Sequence, residues 1–242
     1  MKIAIHQPEF MPWLGFFYKM AIADLYVVFD QVQFKKRYFE NRNLIVSPKG
    51  ETSYIGIPVL TKGRYTQAIM DVKIDNSQDW KDDLTKKILH FYAKAPYFDK
   101  YYDELSGLIN KNEYDRLIDL NMGFIEFFRK HLGIFTPMLF CSQLEVGTNS
   151  GSDLILEICC INKANVYLCG ASGRDYLKEE DFLSRGISIE WLDYKCPVYK
   201  QLYEGFAPNM STLDLLFNQG ENSLDIILGA SKRKGSQNLC IS

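Results

Sequence analysis

The side chains able to bind and activate a small ligand gather near the start of this chain. His6 and Gln7 close an alternating apolar and polar run at residues 2–6, and Asp30, Gln31 and Gln33 follow a second apolar run at 25–29. Next comes Lys35-Lys36-Arg37-Tyr38-Phe39-Glu40-Asn41-Arg42-Asn43, the most donor-rich stretch of the sequence. Arginine grips phosphate or carboxylate through parallel N–H bonds, lysine adds a mobile charge, and asparagine both donates and accepts. Lys36, Arg37, Asn41, Arg42 and Asn43 therefore suit a phosphate or an array of sugar hydroxyls, with Gln7 and Gln33 beside them. A charge run is more usually a solvated loop. Its place straight after a strand end, and its interleaved rings and asparagines, favour the ligand.

A second candidate is Gly170-Ala171-Ser172-Gly173-Arg174-Asp175, which follows the apolar run at 165–169 and precedes a helical pattern. Strand, glycine-rich turn and helix start form a common anion cradle, and Gly170, Ser172, Gly173 and Arg174 are its candidates. No full dinucleotide or phosphate-loop signature is present, so the alternative is a tight turn whose glycines serve geometry alone. Asp214 and Asn218, four apart, share one face of a short capped helix. His90 and His131 lie in helices with no carboxylate or cysteine at ligand spacing and read as ordinary histidines. The six cysteines show no metal spacing and read as buried thiols; Cys169 and Cys196, nearest the motifs, are the alternatives for a nucleophile.

Positioning these groups requires an α/β fold. The strand at 2–6 is broken by Pro8 and Pro12, a helix spans residues 13–23 with Pro12 in its first turn, and 25–29 is a strand buried on both faces. This βαβ unit sets the polar residues at the two strand ends along one sheet edge, where such proteins bind ligands. Parallel pairing would bring the turn at 170–173 to the same cleft. Short strands at 44–46 and 53–59 predict a hairpin, and 69–74 alternates as a further strand. Asp79 caps a helix from 80 to about 94. Helices follow at 99–110 and 113–132, the last closed by Gly133. Strands are expected at 137–141, 165–169 and 187–194, with a helix through 161 and another at 210–218. The expectation is one α/β domain over 1–230, with a helical insertion near 79–133 and a flexible tail at 231–242.

Composition narrows the classes. At 242 residues, 47% hydrophobic and 24% charged, the chain has the makings of a large core. A formal charge of −2 argues against a nucleic-acid partner. No apolar run approaches the ~20 residues needed to span a bilayer, and no signal peptide precedes Pro8, so a cytoplasmic protein is expected.

Ile5-His6-Gln7-Pro8, Pro12-Trp13-Leu14-Gly15, Asp30-Gln31-Val32-Gln33-Phe34, Asn41-Arg42-Asn43, Ala95-Pro96-Tyr97-Phe98, the turn at 170–177, Tyr194 with Pro197 and Gln201, and the block at 211–220 resemble the WbqC-like family. Lys200 stands where a proline is expected. The opening βαβ unit is also similar to the nucleotidylyltransferase type of parallel sheet, although the histidine pair of those enzymes is replaced by Pro12-Trp13-Leu14-Gly15. The family resemblance implies a transferase of O-antigen or lipopolysaccharide biosynthesis that attaches glycine, or another acyl group, to the amine of a nucleotide-linked amino sugar. Alternatives are a nucleotidyl- or glycosyltransferase-like enzyme and a non-catalytic nucleotide-sugar-binding protein. Partners would be the nucleotide-linked amino sugar and glycine or an acyl donor, carried or not by a carrier protein. ATP is needed only if the acyl group is activated in place; no metal is implied. Amide formation needs a proton acceptor and oxyanion donors. His6 is the candidate base, with Asp30 and Asp214 in reserve; a histidine bonded to the backbone is the alternative. Asn41 and Asn43 would face the oxyanion, Arg42 would steer an acidic ligand, and Tyr194 and Asn218 complete the substrate contacts.

Overall fold

Alternation within the first strand sets how the molecule is layered. The computed structural model describes residues 1–111, 113–147 and 149–229; the tail expected from 231 lies outside them, with Cys240. The elements run β1 (Lys2–His6), α1 (Leu14–Ala21), β2 (Leu25–Val28), β3 (Arg42–Val46), β4 (Thr52–Gly56), α2 (Trp80–Tyr92), α3 (Phe98–Lys111), α4 (Leu117–Leu132), β5 (Met138–Phe140), α5 (Gly151–Ile161), β6 (Val166–Gly170), α6 (Glu179–Ser184), β7 (Ser188–Leu192), α7 (Thr212–Gln219) and α8 (Ser223–Ile227). Ala4, Tyr26, Val28 and Leu168 turn to one side of the sheet, into a large core shared with α1, α4 and α7. Ile3, Ile5, Val27, Tyr167 and Cys169 turn to the other, against α5 and Phe182 of α6. β2, covered on both faces, reads as the continuous apolar run seen in the sequence, while β1, read there as alternating, also buries Ile3, Ala4 and Ile5.

The sheet order is β5-β2-β1-β6-β7, with every neighbouring pair parallel, and β3 and β4 form a separate antiparallel hairpin. Winding goes outward from β1 through β2 to β5, then restarts on the other side of β1 at β6. Such a reversal opens a crevice beyond the strand ends. The register shows where it opens. Pairing of β1 with β6 ends at Ala4↔Leu168, while β1 stays paired to β2 through His6↔Val28 and β6 to β7 through Gly170↔Leu192. Beyond Ala4 the sheet is split.

Residues 8–12, between β1 and α1, are irregular yet buried. Buried backbone without a ladder must find other partners. The Pro8 carbonyl accepts from the Asn121 amide at 2.9 Å, and those of Phe10 and Met11 accept from the Asn43 amide at 3.2 and 3.0 Å. The Ser211 hydroxyl also donates to Met11 O at 2.7 Å, and Thr212 N donates to Pro12 O at 2.8 Å. Asn43, Asn121 and Ser211 are each 0% exposed, so no solvent substitutes for them.

Several expected boundaries move, for visible reasons. Arg42 and Asn43, expected in the ligand loop, pair with Gly56 and Ile55, so β3 starts earlier. Residues 69–74 form no strand. Ile69–Asp71 is one 3-10 turn that buries Ile69 and Val72, three apart, and its amides bond to the 30–32 segment. α4 starts at Leu117 rather than 113, because Leu117 N bonds Val72 O and Ile74 N bonds Asp115 O. Its end is as expected, with Gly133 left-handed at φ 72°. After β6 the chain makes a 3-10 turn, Ala171–Asp175, and only later the six-residue α6. Among the described residues, no helix is long and apolar enough to cross a membrane.

Removing the Asn43 amide orphans the Phe10 carbonyl and the Leu44 amide that its oxygen accepts from, and leaves Met11 O with Ser211 alone. Asn43→Ala should therefore cost about 3 kcal/mol, read as a lower urea midpoint at unchanged slope. Asn43→Asp, which keeps the shape but cannot donate, should cost a similar amount. A loss below about 1 kcal/mol in both would show that this amide does not hold the loop.

Candidate active site

The split between β1 and β6 opens into a cavity of about 620 Å³. Ile5, His6 and Gln7 form one lip, and Cys169 with the turn at 170–173 forms the other. Gly173 allows the close approach of the turn: a Cβ there would lie 2.1 Å from Cys169 Sγ. Trp13, Tyr18 and Tyr194 build an aromatic wall, Tyr194 lying 5.7 Å from the Trp13 ring and 4.7 Å from that of Tyr18. Gly15 makes room for this wall, since a Cβ would meet the Trp13 ring at 2.3 Å. Tyr38 and Phe39 of the donor-rich loop also line the cavity.

Among the ionisable groups that line it, which also include Cys169 and Asp193, His6, Glu9 and Lys19 act on one another. His6 Nδ1 lies 3.0 Å from the Gln7 carbonyl. A carbonyl only accepts, so Nδ1 carries the proton and Nε2 keeps its lone pair. That Nε2 is 3.9 Å from Glu9 Oε1. Lys19 reaches in from α1, and its Nζ donates to Ile5 O at 2.8 Å. The carbonyls of Lys2 and His6 bond toward β2. Along a strand, carbonyls point alternately to the two sides, so that of Ile5 points toward β6, where pairing has ended. The lysine thus answers an acceptor that the split leaves open.

Burial drives each of the three toward its neutral form. It lowers His6 to about 4, helped by the charge of Lys19 and opposed by the Gln7 bond. It raises Glu9 to about 8, with Glu40 adding to the rise and Lys19 opposing it. It lowers Lys19 to about 8 against Cys169, Glu9 and Cys159. Glu9 Oε2 and both carboxyl oxygens of Glu40 are buried without a hydrogen-bond partner.

A lysine, a glutamate and a histidine meet at a sheet split, fronted by Trp13 and the turn at 170–173, and residues 7–226, which hold all of these but His6, match the WbqC-like protein family. The chain belongs to that family. It is 32% identical over 227 residues to the uncharacterized protein Rv1507c of Mycobacterium tuberculosis (strain ATCC 25618 / H37Rv), covering 93% of this chain and 97% of the relative. No solved structure matches the chain.

In this WbqC-like chain, His6, Gln7, Gly170, Ser172, Gly173 and Tyr194 meet around the one cavity. The other candidates lie elsewhere. Asp30 is buried and accepts from Ser142 N at 3.0 Å and Ser142 Oγ at 2.5 Å, tying the end of β2 to the turn after β5. Asp214 is wholly buried and accepts from Tyr92, Tyr199 and Gln201 at 2.8–2.9 Å; burial pushes its pKa up against those bonds. The Asn218 amide serves the Asp214 carbonyl. The Asn41 amide is taken by Ile57 O and that of Asn43 by the buried loop, because β3 turns both toward backbone acceptors. Arg42 stacks its guanidinium 4.1 Å over Tyr54, and Arg174 stacks 4.5 Å over Trp191. Gln33 bonds Tyr65 O, and Lys36 and Arg37 are exposed. Cys196 Sγ accepts from Asn209 N and lies off the cavity lining.

Sequence reasoning passed over Glu9 and Lys19. A signal existed for the lysine: it interrupts Phe16, Phe17 and Met20 on an otherwise buried helix. Nothing in Gln7-Pro8-Glu9-Phe10 marked the glutamate.

The shift at Glu9 has a consequence for stability. The ordinary carboxyl value is 4.5 and the folded one about 8, so between them the folded chain keeps a proton that the unfolded chain has lost. Stability from this group therefore falls as pH rises through that window. Glu9→Gln removes the effect, and its stability relative to the parent should rise from about pH 5 to about pH 8 in urea titrations. A difference that stays flat would mean that Glu9 is already ionised in the folded chain.

Proposed function

We propose that the chain is an amino-acyl or acyl transferase that forms an amide on the amine of a nucleotide-linked amino sugar, in the cytoplasm, as a step of O-antigen or polysaccharide biosynthesis. The observation that carries the reading is the free lone pair of His6 Nε2, oriented by the Gln7 carbonyl and set beside Glu9 in a cavity large enough for such a ligand. An amine attacks an activated carbonyl only when neutral, and loses a further proton as the amide forms. Nε2 is the acceptor. Burial keeps the ring neutral at ordinary pH, and Glu9, 3.9 Å away, would stabilise the imidazolium formed during transfer by giving up the proton that burial holds on it below about pH 8.

The remaining contacts follow from the lining. Sugar and base rings suit the wall of Trp13, Tyr18 and Tyr194. A phosphate suits the turn at 170–173 with its Ser172 hydroxyl. Lys36 and Arg37, exposed and flanking Tyr38, add long-range attraction for an anionic ligand at the entrance. Free glycine as donor would require activation by ATP, whereas a glycyl thioester, free or on a carrier protein, would not.

The test is incubation of purified protein with a nucleotide-linked amino sugar and glycine plus ATP, or separately with a glycyl thioester, following the sugar by mass spectrometry. A glycyl mass gain is expected with one donor. His6→Ala should slow it by about 10²-fold or more with the fold intact by circular dichroism. Equal turnover in that variant would remove His6 as the base, and no gain with either donor would reduce the site to a binding one.

A further inference from the structure

Glu9 and Lys19 are each 6% exposed and both line the cavity. They act on each other's charge, yet no ion pair joins them among the described residues. Each also has unused bonding capacity. Glu9 Oε2 has no hydrogen-bond partner among the described residues. Lys19 Nζ has three N–H groups, and the one hydrogen bond it makes is to Ile5 O. Lys19 is the sole lysine or arginine among the lining residues. Burying a charge is unfavourable unless it is paired and hydrogen-bonded, and here a carboxyl group and a lysine line one cavity without bonding each other, each pushed toward its neutral form.

A neutral ligand would stabilise the charged form of neither group, and a simple anion or cation that of only one. We propose that the floor of this cavity is a zwitterion site, in which Glu9 with His6 Nε2 takes an ammonium group and Lys19 takes the carboxylate or phosphate of the same molecule. The Tyr167 ring, 5.8 Å from Nζ, backs the lysine and leaves its remaining donors to the ligand. The chemistry required is an amine and an anionic group on one small molecule. An α-amino acid and an amino-sugar phosphate both supply it; the assignment deepens the transferase reading and rests on it in taking these two as probes.

The experiment is titration calorimetry on the full chain with glycine and with glucosamine 1-phosphate. Each is compared with analogues lacking one charge: glycinamide and glycolate for the first, glucosamine and N-acetylglucosamine 1-phosphate for the second. At least one zwitterion should bind, and its single-charge analogues should bind about tenfold or more weakly. Glu9→Gln should abolish discrimination over the amine while keeping that over the anion, and Lys19→Met should do the reverse. That crossed pattern cannot come from misfolding, which would erase both. No binding of either zwitterion, or analogues that bind as tightly as their parent, would overturn the site. Binding with the crossed pattern but no acyl transfer would sink the transferase reading alone, whereas transfer without charge discrimination would sink the zwitterion site alone.

Discussion

Five buried residues of irregular backbone, 8–12, impose the constraint on which the rest of the molecule depends. Proline at both ends removes two amide donors and prevents either neighbouring element from extending through the stretch. The carbonyls remain, inside the protein, and each unpaired one would be costly. Their partners come from distant parts of the chain: Asn43 on β3, Asn121 on α4, and Ser211 and Thr212 at the start of α7. One short loop thereby fixes the hairpin, the helical segment and the last long helix around β1. Tyr92 continues the same tie, accepting from Val46 N of β3 and donating to Asp214 of α7. Asn43, which looked like a ligand donor, is in this structure a fastener of the loop.

The reason for holding that loop so firmly is what it carries. Glu9 lies in its middle and Trp13 directly after it, and both line the cavity. Met11 is held at φ 41°, a left-handed conformation that a non-glycine residue adopts only when its surroundings demand it. The split between β1 and β6 supplies the other half of the site, since it leaves Ile5 O unpaired and gives Lys19 a reason to be buried. Loop and split converge on three titratable groups whose shifts share one leading cause, the loss of water.

Much of the scaffold was legible in the sequence because its signals are local. The two-face burial of β2, the breaks at Pro8 and Pro12, the hairpin, the glycine stop at Gly133 and the cap at Ser211, whose hydroxyl accepts from Leu213 N, all follow from neighbouring residues. The misread segment at 69–74 shows the limit. Its alternation is real, but the amides there answer carbonyls forty residues upstream, which no window of sequence contains. The site divides the same way. That the ends of β1 and β6 meet at one cavity was legible from βαβ logic, and so were His6, Gln7, Ser172 and Tyr194 on its lining; Glu9 and Lys19 were not.

The donor-rich stretch explains the difference. Asn41, Arg42 and Asn43 have the right chemistry for a ligand, but chemistry is only capacity, and backbone acceptors and the Tyr54 ring use it first. Lys19 and Glu9 present the opposite case. Each is a single charged residue in an apolar setting, a pattern that is unfavourable for folding and keeps its unused bonding capacity for something outside the chain. Where polar residues are plentiful, the fold has partners enough to consume them. Where one stands alone in the core and still lines a cavity, its missing partner is the better guide to function.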